Sequence, residues 1–345
     1  MNHAYQILFA LLSVSAAILF FRRREAVQLA PFDVWRTLPL RGLLALLVVA
    51  GHSDKIVSGN AILHYFHLST PAVSVFFFLS GYGLFKSMSA GRESYLDCFL
   101  SRSAVKLAVP LVSAAVVMCI SLEVEFGKIN LLSRLEAFAC RGVNFPQHSW
   151  YVWSMFLLYA YFWFAFRFFA RKTGFIVFTG LVLAHYAALR WGLRWQKWWW
   201  QTVLSMPVGA VWACCEERIV ACIRRISWKF YACALLVMLV MCGCYKFGLR
   251  DLSRHAIYCA MGPAVALSAY VIRGLPQTAM RIFSFLGRIS FEIYLLHFVG
   301  ERIIRRAGLG PIESLAVVLA VTVPLAFVVH AADAAIVKRL TRRRP

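Results

Sequence analysis

Apolar stretches long enough to cross a bilayer recur along this chain, separated by short segments that carry most of its charge. They predict helices at roughly 4–21, 40–57, 71–87, 104–123, 149–168, 174–190, 200–215, 229–247, 254–272, 284–300 and 312–334, eleven in all. Helices rather than strands follow, because a segment in hydrocarbon must pair its own backbone polar groups. The expected fold class is therefore all-α, a polytopic integral membrane helical bundle. No tandem repeat, low-complexity linker or long hydrophilic stretch divides the chain. In the first segment the basic run Arg22-Arg23-Arg24 follows the apolar stretch instead of preceding it, which predicts a retained anchor and not a cleaved signal peptide. The organisation expected is an additional N-terminal anchor helix in residues 1–30 and one membrane domain over 31–345.

Composition agrees with the pattern: 61% of residues are hydrophobic and only 15% charged, which excludes a soluble core wrapped in a polar shell. The formal net charge of +22 first suggests nucleic acid, but the basic residues are dispersed over many loops and no binding module or long basic helix is present. Most of that charge reads as topology and as attraction to anionic membrane lipid. About two thirds of the 37 Lys and Arg residues fall on one side if the first helix runs from outside to inside. That orientation predicts an external N-terminus and a cytoplasmic C-terminus. Ten cysteines lie mostly in spans, without zinc-type spacing or a disulfide framework. His64 and His67 read as solvated loop residues, so no metal is expected.

The chemistry begins at Arg41-Gly-Leu-Leu-Ala-Leu-Leu-Val-Val-Ala-Gly-His52. Eleven residues turn a helix by about 1100°, roughly 20° past three full turns, and raise it by about 16 Å. One helix face thus carries a charge at a membrane edge and a proton-transfer group deeper in the span. Ionisable residues inside spans are costly and mark functional positions by default. The loop Glu123 to Ser149 mixes charges with apolar residues in the manner of an amphipathic cap, and Trp191, Trp195 and Trp198-Trp199-Trp200 read as an interfacial belt.

Five landmarks in order are similar to those of the acyltransferase-3 family, membrane O-acyltransferases of cell-surface saccharides and some other acceptors. They are Arg41-x10-His52, Val75-Phe-Phe-Phe-Leu-Ser80-Gly81-Tyr82, the basic pair Arg102 and Lys106 before Pro110, His148-Ser-Trp150, and Phe285-Leu-Gly287-Arg-Ile-Ser290-Phe-Glu-Ile-Tyr294-Leu-Leu-His297. The resemblance covers about residues 33 to 330. It implies a ten-span core in a bacterial inner membrane, to which the first helix is an addition. Leu38 stands where family members carry an acidic residue, with Asp33 the nearest substitute.

The resemblance also implies a donor, acetyl-CoA, and an acceptor, a sugar hydroxyl of a surface polysaccharide or lipid-linked glycan. Transfer from thioester to hydroxyl needs a general base, a role for His52. Guanidinium and ammonium groups suit the donor phosphates, which nominates Arg41, Arg102 and Lys106, each with a plain alternative as a helix-end anchor. Ser80, Tyr82, His148, Trp150, Ser290, Tyr294 and His297 are expected to line the substrate path; the last helix puts Ser290, Tyr294 and His297 on one face. Glu292 lies about 200° from Ser290 on that helix and needs a basic partner or a second cavity. No nucleic-acid partner is expected, and the sequence allows a homo-oligomer. The alternative class is a transporter or flippase of lipid-linked saccharide, in which the buried His and Arg would line a permeation route.

Overall fold

The computed structural model describes residues 34–52, 69–126, 130–225, 250–271 and 277–341, and all regular structure among them is helical. In chain order the helices are α1 (Val34–His52), α2 (Ser69–Ala90), α3 (Arg92–Asp97), α4 (Phe99–Phe126), α5 (Leu131–Arg141) and α6 (Trp150–Phe168). There follow α7 (Arg171–Ala187), which runs on as a π turn over Ala188–Gly192, then α8 (Ser205–Arg225), α9 (Arg250–Val271), α10 (Gln277–Arg288), α11 (Ser290–Arg306) and α12 (Pro311–Thr341). The predicted spans at 4–21 and 229–247, like His64, His67 and Asp33, lie outside the described residues.

Among the described residues four helices are long and apolar enough to cross a membrane: Ser69–Ala90, Phe99–Leu122, Arg171–Gly192 and Pro311–Thr341. The expected count of eleven is not reached there, for reasons visible in composition. The apolar part of α1 is only Thr37–His52, and α8 carries Glu216, Glu217 and Arg218 in its second half. The predicted continuous span at 284–300 is also corrected, because it breaks at Ile289 into α10 and α11, bent by 80°. Gly287 sits against α1, where a Cβ would lie 1.9 Å from the Leu38 carbonyl, and the Ser290 hydroxyl donates to the Gly287 carbonyl at 2.9 Å. An apolar pattern does not register such a bend, since residues on both limbs are buried.

Helix α2 forms the centre, packed against α1, α8 and α9, with Phe77 enclosed against Trp150 and Tyr151 of α6, Phe78 against Trp212 of α8, and Phe85 against Phe166 of α6 and Phe175 of α7. Its crossing with α8 is close enough that a Cβ on Gly81 would lie 2.0 Å from the Met206 carbonyl. At the periphery, α12 buries Ser314, Val318, Thr322 and Ala326 at a four-residue repeat and turns Phe327 and Val328 outward. One polar-to-small stripe inward and an apolar remainder outward is the pattern of a helix facing lipid. With the other apolar helices it makes this a multi-pass membrane protein.

The predicted amphipathic cap is the helix α5, started by Asn130, whose side chain accepts from the Ser133 amide at 3.0 Å, and stopped by Gly142 at φ 63°. Trp199 departs from the belt reading: it is buried, and its indole donates to the Gly142 carbonyl at 2.9 Å. It thereby ties the end of the cap to the segment between α7 and α8.

Candidate active site

Helix α1 brings Arg41 and His52 to two different cavities. The larger, about 570 Å³, is walled by Arg41, Ser80, Lys106, Tyr151, Ser290 and Tyr294 among others. The smaller, about 310 Å³, is walled by His52, Asn144, Gln147, His148, Trp150, Lys197 and Trp198 with neighbours from the start of α2. Val73 belongs to both walls, and the adjacent residues Trp150 and Tyr151 line one cavity each. The two spaces therefore adjoin across α2 and the start of α6, one edged with cations and the other with imidazoles.

Three histidines meet beside the smaller cavity. Ring centroids stand 4.5 Å apart for His52 and His148, 4.9 Å for His52 and His297, and 4.4 Å for His148 and His297, the last pair stacked. His52 Nδ1 lies 2.8 Å from the Val48 carbonyl and His297 Nδ1 lies 2.6 Å from the Tyr294 carbonyl. A carbonyl only accepts, so both Nδ1 atoms carry the proton and, in the neutral rings, both Nε2 atoms carry the lone pair. That is the tautomer a base or a metal ligand requires.

His148 enters from the loop before α6, where its φ of 63° places it in the left-handed region. Histidine is one of the residues enriched there, though any Cβ makes it unfavourable. Three contacts hold it: the buried Tyr294 hydroxyl donates to its carbonyl at 2.7 Å, and its Nε2 lies 3.1 Å from Gln147 Nε2 and 3.4 Å from Glu301 Oε2. The other oxygen, Glu301 Oε1, is 3.4 Å from His297 Nε2, one helical turn back along α11. Glu301 is 4% exposed. Sequence reasoning passed over it, although its i, i+4 relation to His297 was the signal available.

Not every expected residue joins these cavities. Ser80, Lys106, Ser290 and Tyr294 line the larger with Arg41, Trp150 and His148 line the smaller, and His297 is buried between the other two rings. Arg102 is exposed near the start of α4, one turn before Lys106, and is not part of either wall. Tyr82 points elsewhere: its hydroxyl donates to Glu216 at 2.8 Å, and Lys86 pairs with the same carboxylate at 2.5 Å. Ser80 and Tyr82, two residues apart on one helix, lie about 200° apart and so face different neighbours. The partner that Glu292 needed is His330 on α12, whose Nδ1 lies 2.9 Å from Glu292 Oε1.

In this all-helical membrane bundle a cavity edged by Arg41 and Lys106 abuts a cluster of three histidines. A family model for the acyltransferase domain matches residues 40–331, from within α1 to within α12, and includes the residues named on both cavities. The chain belongs to this acyltransferase-3 family. No curated protein and no solved structure matches it.

Proposed function

We propose that the chain is an O-acyltransferase of the bacterial inner membrane, moving an acetyl group from cytoplasmic acetyl-CoA to a sugar hydroxyl of a surface polysaccharide or lipid-linked glycan. Family membership supports acyl transfer in general. The finer reading is carried by one observation, the junction at Val73 between a cavity edged by Arg41 and Lys106 and a cavity edged by His52 and His148. Cations suit the phosphates of a coenzyme, and the rise of about 16 Å from Arg41 to His52 suits an extended pantetheine arm.

His52 Nε2 takes the proton of the acceptor hydroxyl, whose oxygen then attacks the thioester carbonyl carbon. The carbon–sulfur bond breaks, the ester stays with the sugar, and the departing thiolate takes the proton back from the imidazolium. His148 and Trp150 border the space for the acceptor. Lysine and arginine counts favour an external N-terminus and a cytoplasmic C-terminus, which labelling of single cysteines placed at each end tests directly.

The deciding experiment supplies acetyl-labelled acetyl-CoA to inverted membrane vesicles that contain or lack the protein. Label appearing on glycan only with the protein supports the reading. Movement of intact glycan with no label transferred overturns it in favour of transport.

A further inference from the structure

We propose that His52, His148, His297 and Glu301 bind one divalent ion of the zinc class, and that the bound ion holds acyl transfer off. The binding half stands on geometry. The inhibitory half rests on His52 as the base of the proposed reaction.

One donor atom from each of the three histidines lies within 4.8 Å of the other two. Zinc bonded to nitrogen at about 2.0–2.1 Å with tetrahedral angles holds its ligand atoms about 3.4 Å apart, so the rings close by roughly an ångström or so on binding. Two of the three rings have the support that metal-bound histidines use, with Nδ1–H fixed on a backbone carbonyl and Nε2 turned inward. His297 is fully buried and its Nε2 has no hydrogen-bond partner, and neither does Glu301 Oε1, 3.4 Å away. A buried polar atom left in that state costs about 1–3 kcal/mol, and an ion between the two satisfies both.

Glu301 reaches two of the rings through its two oxygens, which makes the donor set three imidazoles and one carboxylate. Imidazole with carboxylate suits zinc, copper or nickel over calcium or magnesium. The 310 Å³ cavity beside His52 and His148 supplies the access route. Cysteine and histidine spacing did not register this arrangement because its members come from the end of α1, the loop before α6 and the middle of α11. An ion there engages the Nε2 lone pair that proton abstraction needs, so metal and acceptor hydroxyl compete for the same electrons.

The test uses full-length protein in detergent, without a histidine tag, with its thiols alkylated and its metals stripped by a chelator. Isothermal titration with Zn²⁺ is expected to give one site per chain. Glu301→Gln and His148→Ala should each weaken it by about tenfold or more, whereas His330→Ala, on α12, should not. Glu301→Gln keeps the shape of the side chain, so the result does not depend on the histidine variant folding. Absence of a site in folded protein, or equal affinity in both variants, overturns the binding. Turnover should fall at the same zinc concentration that fills the site and return on adding chelator. Zinc that binds and raises turnover overturns the inhibition and removes His52 as a free base, while zinc that binds to protein showing no acyl transfer leaves the binding standing and overturns the inhibition together with the reaction on which it rests.

Discussion

Tyr294→Phe removes one oxygen and leaves the ring that walls the larger cavity in place, so its effect isolates the hydroxyl's grip on His148. That grip works against a conformational cost. A residue with a Cβ at φ 63° lies about 1–2 kcal/mol above its ordinary backbone wells. With the hydroxyl gone the His148 carbonyl loses its donor in a buried setting, a cost of about 1–3 kcal/mol if the loop keeps its shape. The loop escapes that cost by relaxing to negative φ, which carries the imidazole away from His52 and Glu301. A shift of one to two kcal/mol is a factor of about 5–30 in the aligned population, and kcat should fall by that factor. Release of coenzyme A thiol from acetyl-CoA, followed with glycan acceptor present, measures it. The KM for acetyl-CoA should stay near wild type, since the cavity proposed for the donor keeps its aromatic wall. In a His148→Ala background the same substitution should add no more than about 0.3–0.5 kcal/mol, because the group it positions is already absent. Wild-type turnover for Tyr294→Phe, or an equal loss in both backgrounds, refutes the reasoning.

His52→Ala should cost on the order of 10²–10⁴ in turnover while the protein stays folded and membrane-inserted, and retention of more than about a tenth of wild-type rate removes it as the base. Arg41→Lys should raise the KM for acetyl-CoA by losing bidentate phosphate contact, and Arg41→Gln should raise it further; identical donor saturation in both places Arg41 outside donor binding. Gly287→Ala forces a methyl to within 1.9 Å of the Leu38 carbonyl, a backbone atom that no rotamer change can move. It should cost about 1–3 kcal/mol or more, read as a lowered Tm in detergent, and an unchanged Tm would show that α10 and α1 do not cross there as closely as described.

Features confined to one helix were legible in the residues; features made by bringing helices together were not. The phase of Arg41 and His52 is a property of a single helix, and so is the shared face of Ser290, Tyr294 and His297, and both follow from the pitch alone. Pitch also separates Ser80 from Tyr82, which a shared motif had grouped. The bend at Ile289 escaped because it depends on Gly287 meeting the Leu38 carbonyl, a contact with a helix far away in the chain. His148 carries the same lesson further. It sits in a loop whose course no periodicity specifies, and its left-handed backbone is held by a hydroxyl from α11. Glu292 lay inside the predicted span and Glu301 one residue past its end, yet on one helix Glu301 faces two histidines of the cluster and Glu292 faces His330 on α12. What separates them is the angle of about 180° between positions nine residues apart, which sends them to opposite neighbours. The 80° bend sets which neighbour each side meets: it tilts α11 so that one face closes on α1 and the loop before α6 while the other lies on α12. A straight helix over 284–300 would give its residues different neighbours. The histidine cluster is therefore a consequence of the break at Ile289, and the close approach at Gly287 that accompanies this break is as much a part of the site as the imidazoles.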